Sequence, residues 1–461
     1  MCTLPLSLPS EASGTPSAPS STHRHMSSTI EPLVASESQT PTPSTKPKPA
    51  RLTSLDIMRG FTVCLMIFVD DVGDAYPSIN HSPWDNITLA DFVMPWFLFM
   101  VGTSLSISLR KYRAAPRKGF LAVITRAAKL FGLGVVLQGG DWFDGEPSFG
   151  YNLSTLRFCG ILNRIGYAYL VAACIELFVP ELPTAWPARV SSSGASSRRW
   201  CYHVAVFTTQ APRWLAAFAF VGLHLGLTFL TWVPTWHSRY GYNATSASQG
   251  LLSHPFEVAC DVRGVIHTPE CSAASYYDRL LFGQDHLGVW MSRRLPQCSS
   301  CSPGNPNHMY RPGCVPIVTD ETRWCFARMY DPEGALASVP TVMSVWLGAH
   351  FGRVLRFEGL GLELPDGVSG HGVSGHGAVL SHWAVVSALL IGGGLAVHAA
   401  GLPMNKQLWS PSYLLFMAGT CGGALAAVYA AVDTASALGQ QSTLSKQIAR
   451  HHIAQPSSTN P

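Results

Sequence analysis

The sequence predicts an all-α protein whose helices cross a membrane several times. Only 13% of the 461 residues are Asp, Glu, Lys or Arg, whereas roughly 25% is usual in soluble domains. The hydrophobic fraction is 47%, and apolar runs near the roughly 20 residues that a membrane-spanning helix needs alternate with polar loops. The net charge of +4 is small and scattered, which excludes a nucleic-acid-binding protein.

Residues 1–50 are rich in Ser, Thr and Pro and contain no apolar run. This composition buries too little surface to fold, so we predict a disordered arm without a signal peptide. Residues 51–432 form the membrane domain, and residues 433–461 form a polar tail.

The membrane domain contains eight apolar runs, which we interpret as about eight spans. The first run is the shortest and contains Arg59, which stands three residues after Asp56 and can pair with it on one helical face. The runs are Leu55 to Val69, Ile87 to Leu109, Phe120 to Leu137, Gly160 to Val179, Trp214 to Val233, Ala335 to Phe351, Ala378 to Val397 and Ser412 to Val432.

Basic residues predict the orientation, because they collect after the second, fourth and sixth runs. The positive-inside rule places these loops, and with them both termini, in the cytoplasm. The other loops then face outside or a lumen, in an endomembrane of the lysosome or vacuole type or in the plasma membrane. Three glycosylation sequons, at Asn86, Asn152 and Asn243, lie in or beside these loops. The basic residues are Arg110, Lys111, Arg113, Arg117, Lys118, Arg189, Arg198, Arg199, Arg353 and Arg356.

The largest of these loops, residues 234–334, contains six of the 12 cysteines. Cys298 and Cys301 could begin a zinc site, but no second pair of this spacing follows. We therefore predict disulfides, with their connectivity open, and no metal site. The six are Cys260, Cys271, Cys298, Cys301, Cys314 and Cys325.

A second unusual segment, residues 367–377, repeats a five-residue unit that contains His371 and His376. Two histidines without carboxylates or cysteines make a weak metal site. We interpret the segment as a flexible cytoplasmic linker.

The loop between the first two runs has the highest density of polar chemistry. His81 lies between Asp70 and Asp71 upstream and Asp91 downstream. A neutral imidazole with a carboxylate partner can act as a nucleophile or as a general base. The alternative is a surface histidine beside solvated carboxylates. Thr88 to Asp91 also fits a capping box at the start of the second span.

Two further polar segments have ordinary structural interpretations. Asp331, followed by Pro332 and Glu333, fits an N-cap before the sixth span. Lys406 and Trp409, in the last extracytoplasmic loop, are typical of interfacial anchors.

An ordered series of motifs resembles the heparan-alpha-glucosaminide N-acetyltransferase family of multi-span membrane enzymes, in particular its plant-type members. The resemblance covers about residues 51 to 432. It implies transfer of an acetyl group from acetyl-CoA to the amino group of a terminal glucosamine or similar amino sugar. The motifs are SLDIMRGFTV, VDDVGDAYPSINHSPWDNITLADFVMPWFLF, LQGG, LRFCGILNRIGYAYLV, CDVRG, YYDRLLFGQDHL, MYDPEGALASV and LPMNKQLWSPSY.

The resemblance places the family's active-site histidine on His81, with Asp70, Asp71 and Asp91 as its candidate catalytic neighbours. Animal members carry Asn at the position of Asp70. Two mechanisms remain open: His81 forms an acetyl-imidazole, or it only removes a proton from the sugar ammonium.

The implied partners are acetyl-CoA as a co-substrate, the amino-sugar acceptor and the lipid bilayer, and a homo-oligomer is left open. No permanently bound cofactor is expected. The phosphates of CoA call for cations or helix N-termini. Our candidates for binding the co-substrate are Arg164, Arg279, Asn405 and Lys406.

Family members have roughly eleven spans, whereas no apolar run follows Val432 here. We therefore expect a C-terminally truncated member. The alternatives are an enzyme that uses another glycan amine or hydroxyl, a catalytically silent paralogue and a transporter of small metabolites.

Overall fold

The computed structural model describes only part of the chain, and all structural statements concern that part. The arm 1–50, Asn152, Cys301, Cys314, His371 and the tail beyond Ala435 lie outside it. The described residues are 52–73, 76, 78–138, 153–182, 203–204, 206–243, 248–287, 298, 319, 322–359 and 373–435.

Helices form most of the described structure, which confirms the predicted class. Short 3-10 turns precede and follow α2 at Leu89–Phe92 and Leu109–Tyr112, and a π turn follows the last helix at Ala430–Thr434. The helices are α1 Thr53–Val72, α2 Val93–Ser108, α3 Pro116–Gln138, α4 Ile161–Phe178, α5 Ala211–Leu230, α6 Ala273–Phe282, α7 Ala335–Ser338, α8 Thr341–Gly359, α9 Val373–Ala399 and α10 Pro411–Tyr429.

Six helical segments in the described residues are long and apolar enough to cross a membrane. The chain is therefore an integral membrane protein, and six of the eight predicted spans are supported. The six segments are Leu89–Tyr112, Pro116–Leu137, Ile161–Phe178, Ala211–Leu230, His376–Ala399 and Pro411–Thr434.

The count of eight spans is not confirmed, because α1 and α8 are not among these six. Charged side chains lower their hydropathy: α1 carries Asp56 and Asp70, and α8 carries Arg353. Helix α8 nevertheless lies in the middle of the bundle, where residues 341–354 are all buried. Because neighbouring helices surround α8, polar side chains of the protein rather than lipid can contact Arg353.

Two glycines allow α8 to approach α2 closely. A Cβ atom at Gly102 would overlap the carbonyl of Val345, and one at Gly348 would overlap the carbonyl of Phe99. Large apolar side chains, including Trp346, fill the core around this crossing. The crossing fixes α2 and α8 relative to each other, and with them the polar loops that these helices carry.

The last helix also holds the first one. The carboxylate of Asp433, in the turn after α10, accepts hydrogen bonds from the amides of Thr53 (3.3 Å) and Ser54 (3.1 Å). These are free amides at the start of α1, which a negative group stabilises. The predicted pairing of Arg59 with Asp56 is confirmed at 3.2 Å.

The loop 234–334 adds strands that the all-α prediction did not include. Strand β2 (Trp236–Asn243) pairs antiparallel with β3 (Ser248–Val258), and β1 (Trp232–Val233) pairs with β4 (Val262–Arg263). The pattern of apolar runs did not reveal these strands, because they lie in a mostly polar loop.

The predicted disulfides are confirmed for four of the six loop cysteines. Cys260 pairs with Cys271, and Cys298 pairs with Cys325. The interpretation of residues 367–377 as a flexible linker is wrong from residue 373 onward, because α9 already begins there. His376 lies in that helix, and its Nδ1 is 2.6 Å from the hydroxyl of Tyr429.

Candidate active site

His81 lies in the loop between α1 and α2, where its side chain remains 24% exposed. Its amide donates a hydrogen bond to Oδ1 of Asn80 (2.7 Å), and its Nδ1 is 2.8 Å from Oδ1 of Asp91. The loop is held from the other side by Trp84, whose indole donates to the carbonyl of Ile266 (2.8 Å). His81 is therefore held at both its backbone and its ring.

Asp91 contacts both the start of the helical segment and the imidazole of His81. Its Oδ2 accepts hydrogen bonds from the amides of Ser82 (3.1 Å) and Thr88 (3.0 Å) and from the Thr88 hydroxyl (3.0 Å). The predicted capping box at Thr88 is confirmed. Its other oxygen, Oδ1, faces His81. The buried carboxylate therefore organises the loop with one oxygen and orients the imidazole with the other.

Lys406 brings a cation to the same imidazole from a distant loop. Its Nζ lies 2.9 Å from Nδ1 and 3.4 Å from Nε2 of His81, and 3.6 Å from Oδ1 of Asp91. Because the two ring nitrogens point away from each other in the ring plane, an atom that contacts both lies over the ring face. In the tautomer in which Nδ1 donates to Asp91, the in-plane lone pair of Nε2 is left open among the described residues.

The loop that carries Lys406 is tightly closed on itself. Oδ1 of Asn405 accepts from the amide of Leu408 (2.8 Å), and the amide of Ser410 donates to the carbonyl of Asn405 (3.0 Å). Trp409 takes a left-handed backbone conformation, with φ at 53°, which a bulky residue rarely adopts. The fully buried indole of Trp409 compensates by donating to the hydroxyl of Ser344 (3.1 Å).

A buried ionic cluster lies next to Lys406. Arg157 binds Asp331 through Nε (2.5 Å) and Nη2 (2.6 Å), and Nη2 also binds Glu333 (2.6 Å). The charge of Glu333 acts on both Lys406 and His81. Buried charges need nearby charges of opposite sign. Here three buried carboxylates lie among three cations, of which Arg157 remains 21% exposed. The carboxylates are Asp91, Asp331 and Glu333, and the cations are Arg157, Arg164 and Lys406.

The prediction that Asp331 is an N-cap is wrong. The N-cap of α7 is Gly334, without a side-chain cap, and Arg157 occupies the Asp331 carboxylate. The capping group is instead Asp278 of α6, which accepts from the amides of Ala335 (2.8 Å) and Asp331 (3.1 Å). A sequence window cannot show such a competitor, because it lies more than 50 residues away.

The protonation states follow from burial and from these charges. Burial and the Lys406 ammonium lower the pKa of His81 below its ordinary value, although Asp91 opposes them. Burial also lowers the pKa of Lys406, against the attraction of Asp91 and Glu333. Burial opposes ionisation of Glu333, yet Arg157 and the neighbouring cations hold its pKa below the ordinary value. Burial raises the pKa of Asp278 to about 7.

The predicted site residues divide into those that meet and those that do not. His81, Asp91 and Lys406 form one cluster. Asn405 lies beside it and donates a hydrogen bond from its side-chain amide to the carboxylate of Asp85 (3.2 Å). Asp70 is exposed on the last turn of α1, within electrostatic range of His81. The neighbouring Asp71 is exposed as well.

The two remaining cation candidates are held by protein groups. Arg164 is buried, donates to the carbonyl of Pro332 (2.7 Å) and lies over the Trp409 ring. Arg279 lies over the ring of Trp236 at 3.8 Å, away from the contacts of His81. A role of either in binding CoA phosphates stays a prediction.

Sequence reasoning missed Arg157, Asp278 and Tyr413. The hydroxyl of Tyr413 donates to the carbonyl of Asp91 (2.6 Å) and so ties α10 to the site. No local signal marks Asp278 or Tyr413.

Comparison with known proteins gives consistent matches. Residues 51–227 match the family model described as heparan-alpha-glucosaminide N-acetyltransferase, catalytic. A human protein named heparan-alpha-glucosaminide N-acetyltransferase is 27% identical over 393 residues, which cover 84% of this chain and 49% of the human protein. The mouse protein of the same name is 26% identical, over 83% of this chain and 49% of its own length. The chain thus spans about half the length of the curated relatives it matches.

Proposed function

We propose that the chain is a membrane acetyltransferase of the heparan-alpha-glucosaminide N-acetyltransferase family, whose catalytic model matches residues 51–227. It moves an acetyl group from acetyl-CoA to the amino group of a glucosamine or similar amino sugar. The observation that carries the proposal is the His81 ring, which is held by Asp91 in its plane and covered by Lys406 on one face. His81 acts as the nucleophile or as the general base.

Acyl transfer needs a nucleophile, an acceptor for the amine proton and donors for the oxyanion. The open lone pair of Nε2 can attack the thioester carbonyl or take a proton from the sugar ammonium. Asp91 keeps the proton on Nδ1 and stabilises the imidazolium when it forms. The ammonium of Lys406 can stabilise the negative oxygen of a tetrahedral intermediate near Nε2.

The lowered pKa of His81 suits either role. An imidazole with the ordinary pKa of about 6.5 would be mostly protonated in an acidic lumen. Burial and Lys406 favour the neutral ring, and a neutral ring is required both for attack and for accepting a proton.

The test is label transfer from radiolabelled acetyl-CoA to glucosamine by the purified chain. We expect the wild type to transfer the label and His81→Ala to lose at least about 100-fold in rate. The matched control is His267→Ala, because His267 is an exposed histidine that also pairs with an aspartate, Asp85, at 3.0 Å. This variant should retain transfer. A folded wild type that transfers no label, or an unchanged rate in His81→Ala, would refute the proposal.

The same preparation distinguishes the two roles of His81. Without sugar, a nucleophilic histidine becomes labelled on the protein, in an adduct that is lost in His81→Ala. A general base leaves the protein unlabelled at this position and needs both substrates to be bound together.

A further inference from the structure

We propose that Lys406 is itself an acetyl acceptor: when no amino sugar is bound, the acetyl group on His81 passes to Nζ of Lys406 and remains there as a stable amide. The inference rests on the proposed function, with His81 in the role of nucleophile. It makes Lys406 a self-modification site that switches the enzyme off.

The position of Nζ over the ring is the first support. An acetyl group on Nε2 is conjugated with the imidazole and lies in its plane, so its carbonyl carbon is open only above and below that plane. Nucleophiles approach a carbonyl carbon from such a face. Nζ already lies over one face, 3.4 Å from the ring atom that would carry the acetyl group, so a small movement of the side chain brings it to the carbonyl carbon.

The rigidity of the loop is the second support. The Lys406 side chain is only 5% exposed, and the amide of Trp409 donates to its carbonyl (3.1 Å). The amine therefore cannot swing into solvent between turnovers. A nucleophile held beside its target has an effective concentration far above that of any free acceptor.

Charge explains why this reaction is slow during turnover. Asp91 and Glu333 favour the ammonium form of Lys406, and an ammonium has no lone pair with which to attack. Burial works against them and lowers the pKa of Lys406, so a neutral fraction exists. The sugar amine, arriving on the opposite face of the ring, competes with this minor form.

The step balances as follows. Nε2 of His81 forms a bond to the acetyl carbon, the bond from carbon to sulfur breaks, and CoA leaves as the thiol with the imidazole proton. Neutral Nζ then bonds to the acetyl carbon, the bond from carbon to Nε2 breaks, and the electron pair returns to the ring. The proton lost from Nζ is taken up by the ring, which becomes neutral imidazole.

The product explains the loss of activity. An acetylated Lys406 has no charge, so Asp91 and Glu333 lose a buried cationic partner, and the ring face loses its oxyanion donor. An enzyme with abundant acetyl-CoA and no acceptor would in this way stop consuming it.

The experiment incubates the full chain with acetyl-CoA, with and without glucosamine, at a series of pH values, and maps acetylated peptides by mass spectrometry. We expect one acetyl group on Lys406, formed faster at higher pH and suppressed by glucosamine. It should be absent in His81→Ala. Lys118, an exposed lysine, reports chemical acetylation and should be equal in both proteins.

A second measurement uses Lys406→Arg, which keeps a cation over the ring but carries no nucleophilic amine. After incubation with acetyl-CoA alone, the wild type should progressively lose sugar acetylation, whereas this variant should keep whatever rate it started with. Equal decline in both proteins overturns the inference.

The outcomes separate this inference from the proposed function. Acetylation of glucosamine without acetyl-Lys406 overturns the inference alone. Equal acetyl-Lys406 in His81→Ala also overturns it, because the group then comes directly from the thioester. Acetyl-Lys406 without acetylation of any amino sugar supports the inference and contradicts the proposed acceptor. If neither glucosamine nor Lys406 is acetylated, both the proposed function and this inference are contradicted.

Discussion

Arg157 donates two hydrogen bonds to the carboxylate of Asp331, from Nε at 2.5 Å and from Nη2 at 2.6 Å. This carboxylate is not exposed to solvent. This pair connects the segment before α4 to the start of α7, and Glu333 connects it further to Lys406. The charge of Glu333, which Arg157 binds, therefore also acts on His81 and Lys406.

The first prediction concerns the stability of this pair. Arg157→Ala leaves two buried carboxylates without their main cation, which typically costs about 3–5 kcal/mol. The free energy of unfolding, measured with denaturant in detergent, should fall by that amount. Arg239→Ala is the control, because Arg239 is 51% exposed and pairs with Asp285 on the surface. It should cost less than about 1 kcal/mol, and an equal loss in both variants would contradict the argument.

The second prediction concerns the orientation of the imidazole. Asp91→Asn keeps the shape of the side chain and one acceptor oxygen for the amides of Ser82 and Thr88. Its amide nitrogen then faces Nδ1 of His81 and favours the wrong tautomer, with the proton on Nε2. The rate of acetyl transfer should fall by roughly 100-fold to 10,000-fold while the helical circular dichroism remains.

A matched substitution separates this effect from a general loss of negative charge. Asp71→Asn removes an exposed carboxylate on the last turn of α1. It should leave the rate close to that of the wild type. Equal losses in the two variants would show that Asp91 acts only through its charge.

The third prediction concerns pH. The reaction needs neutral His81, so the rate rises with pH through the pKa of this ring. Burial and Lys406 lower that pKa, while Asp91 and Glu333 oppose the shift. The acidic limb of kcat/KM should therefore lie below the ordinary value of 6.5.

Lys406→Met tests the cause of this shift. Removal of the positive charge should move the acidic limb to higher pH, toward the ordinary value, whatever happens to the maximal rate. A wild-type limb above 6.5, or a limb that moves to lower pH in the variant, would show that the electrostatic account has the wrong sign.

The fourth prediction concerns the two disulfides of loop 234–334. Their sequence separations are 27 residues for Cys298 and Cys325 and 11 for Cys260 and Cys271. Loop-closure entropy gives about 3.6 kcal/mol for the longer loop and about 2.8 kcal/mol for the shorter one. Replacing each pair by serines should lower the free energy of unfolding in this order, as measured by denaturant titration. Losses in the reverse order would contradict the entropic account.

Local sequence was sufficient to predict the features that depend on the composition and spacing of neighbouring residues. The low charge content and the apolar runs predicted an integral membrane protein, and six of the runs became helices of sufficient length. The spacing of Asp56 and Arg59 predicted their ion pair, and Thr88 to Asp91 predicted a capping box, because both interactions span a single helical turn. The high cysteine content of loop 234–334 predicted disulfides, and two of them are present among the described residues.

Local sequence could not predict which charged side chains pair with each other. Asp331 looked like an N-cap because only its neighbours were visible, whereas Arg157 binds it across more than 170 residues. Lys406 looked like an interfacial anchor or a ligand of CoA phosphates, yet it lies on the ring of His81, 325 residues away. Residue types predicted which side chains could act as acids, bases or nucleophiles. The packing of α10 and its preceding loop against α2 decided which of these side chains come into contact.

By itself, therefore, the sequence determined the membrane class, most of the helices and the identity of His81 as the residue to test. Only the tertiary structure decided that Asp91 holds the ring in its plane and that Lys406 covers its face. The physical reason is range: helix formation and membrane insertion depend on residues within one or two turns. The pKa and reactivity of a buried imidazole depend instead on every charge within a few ångströms, wherever those charges stand in the chain.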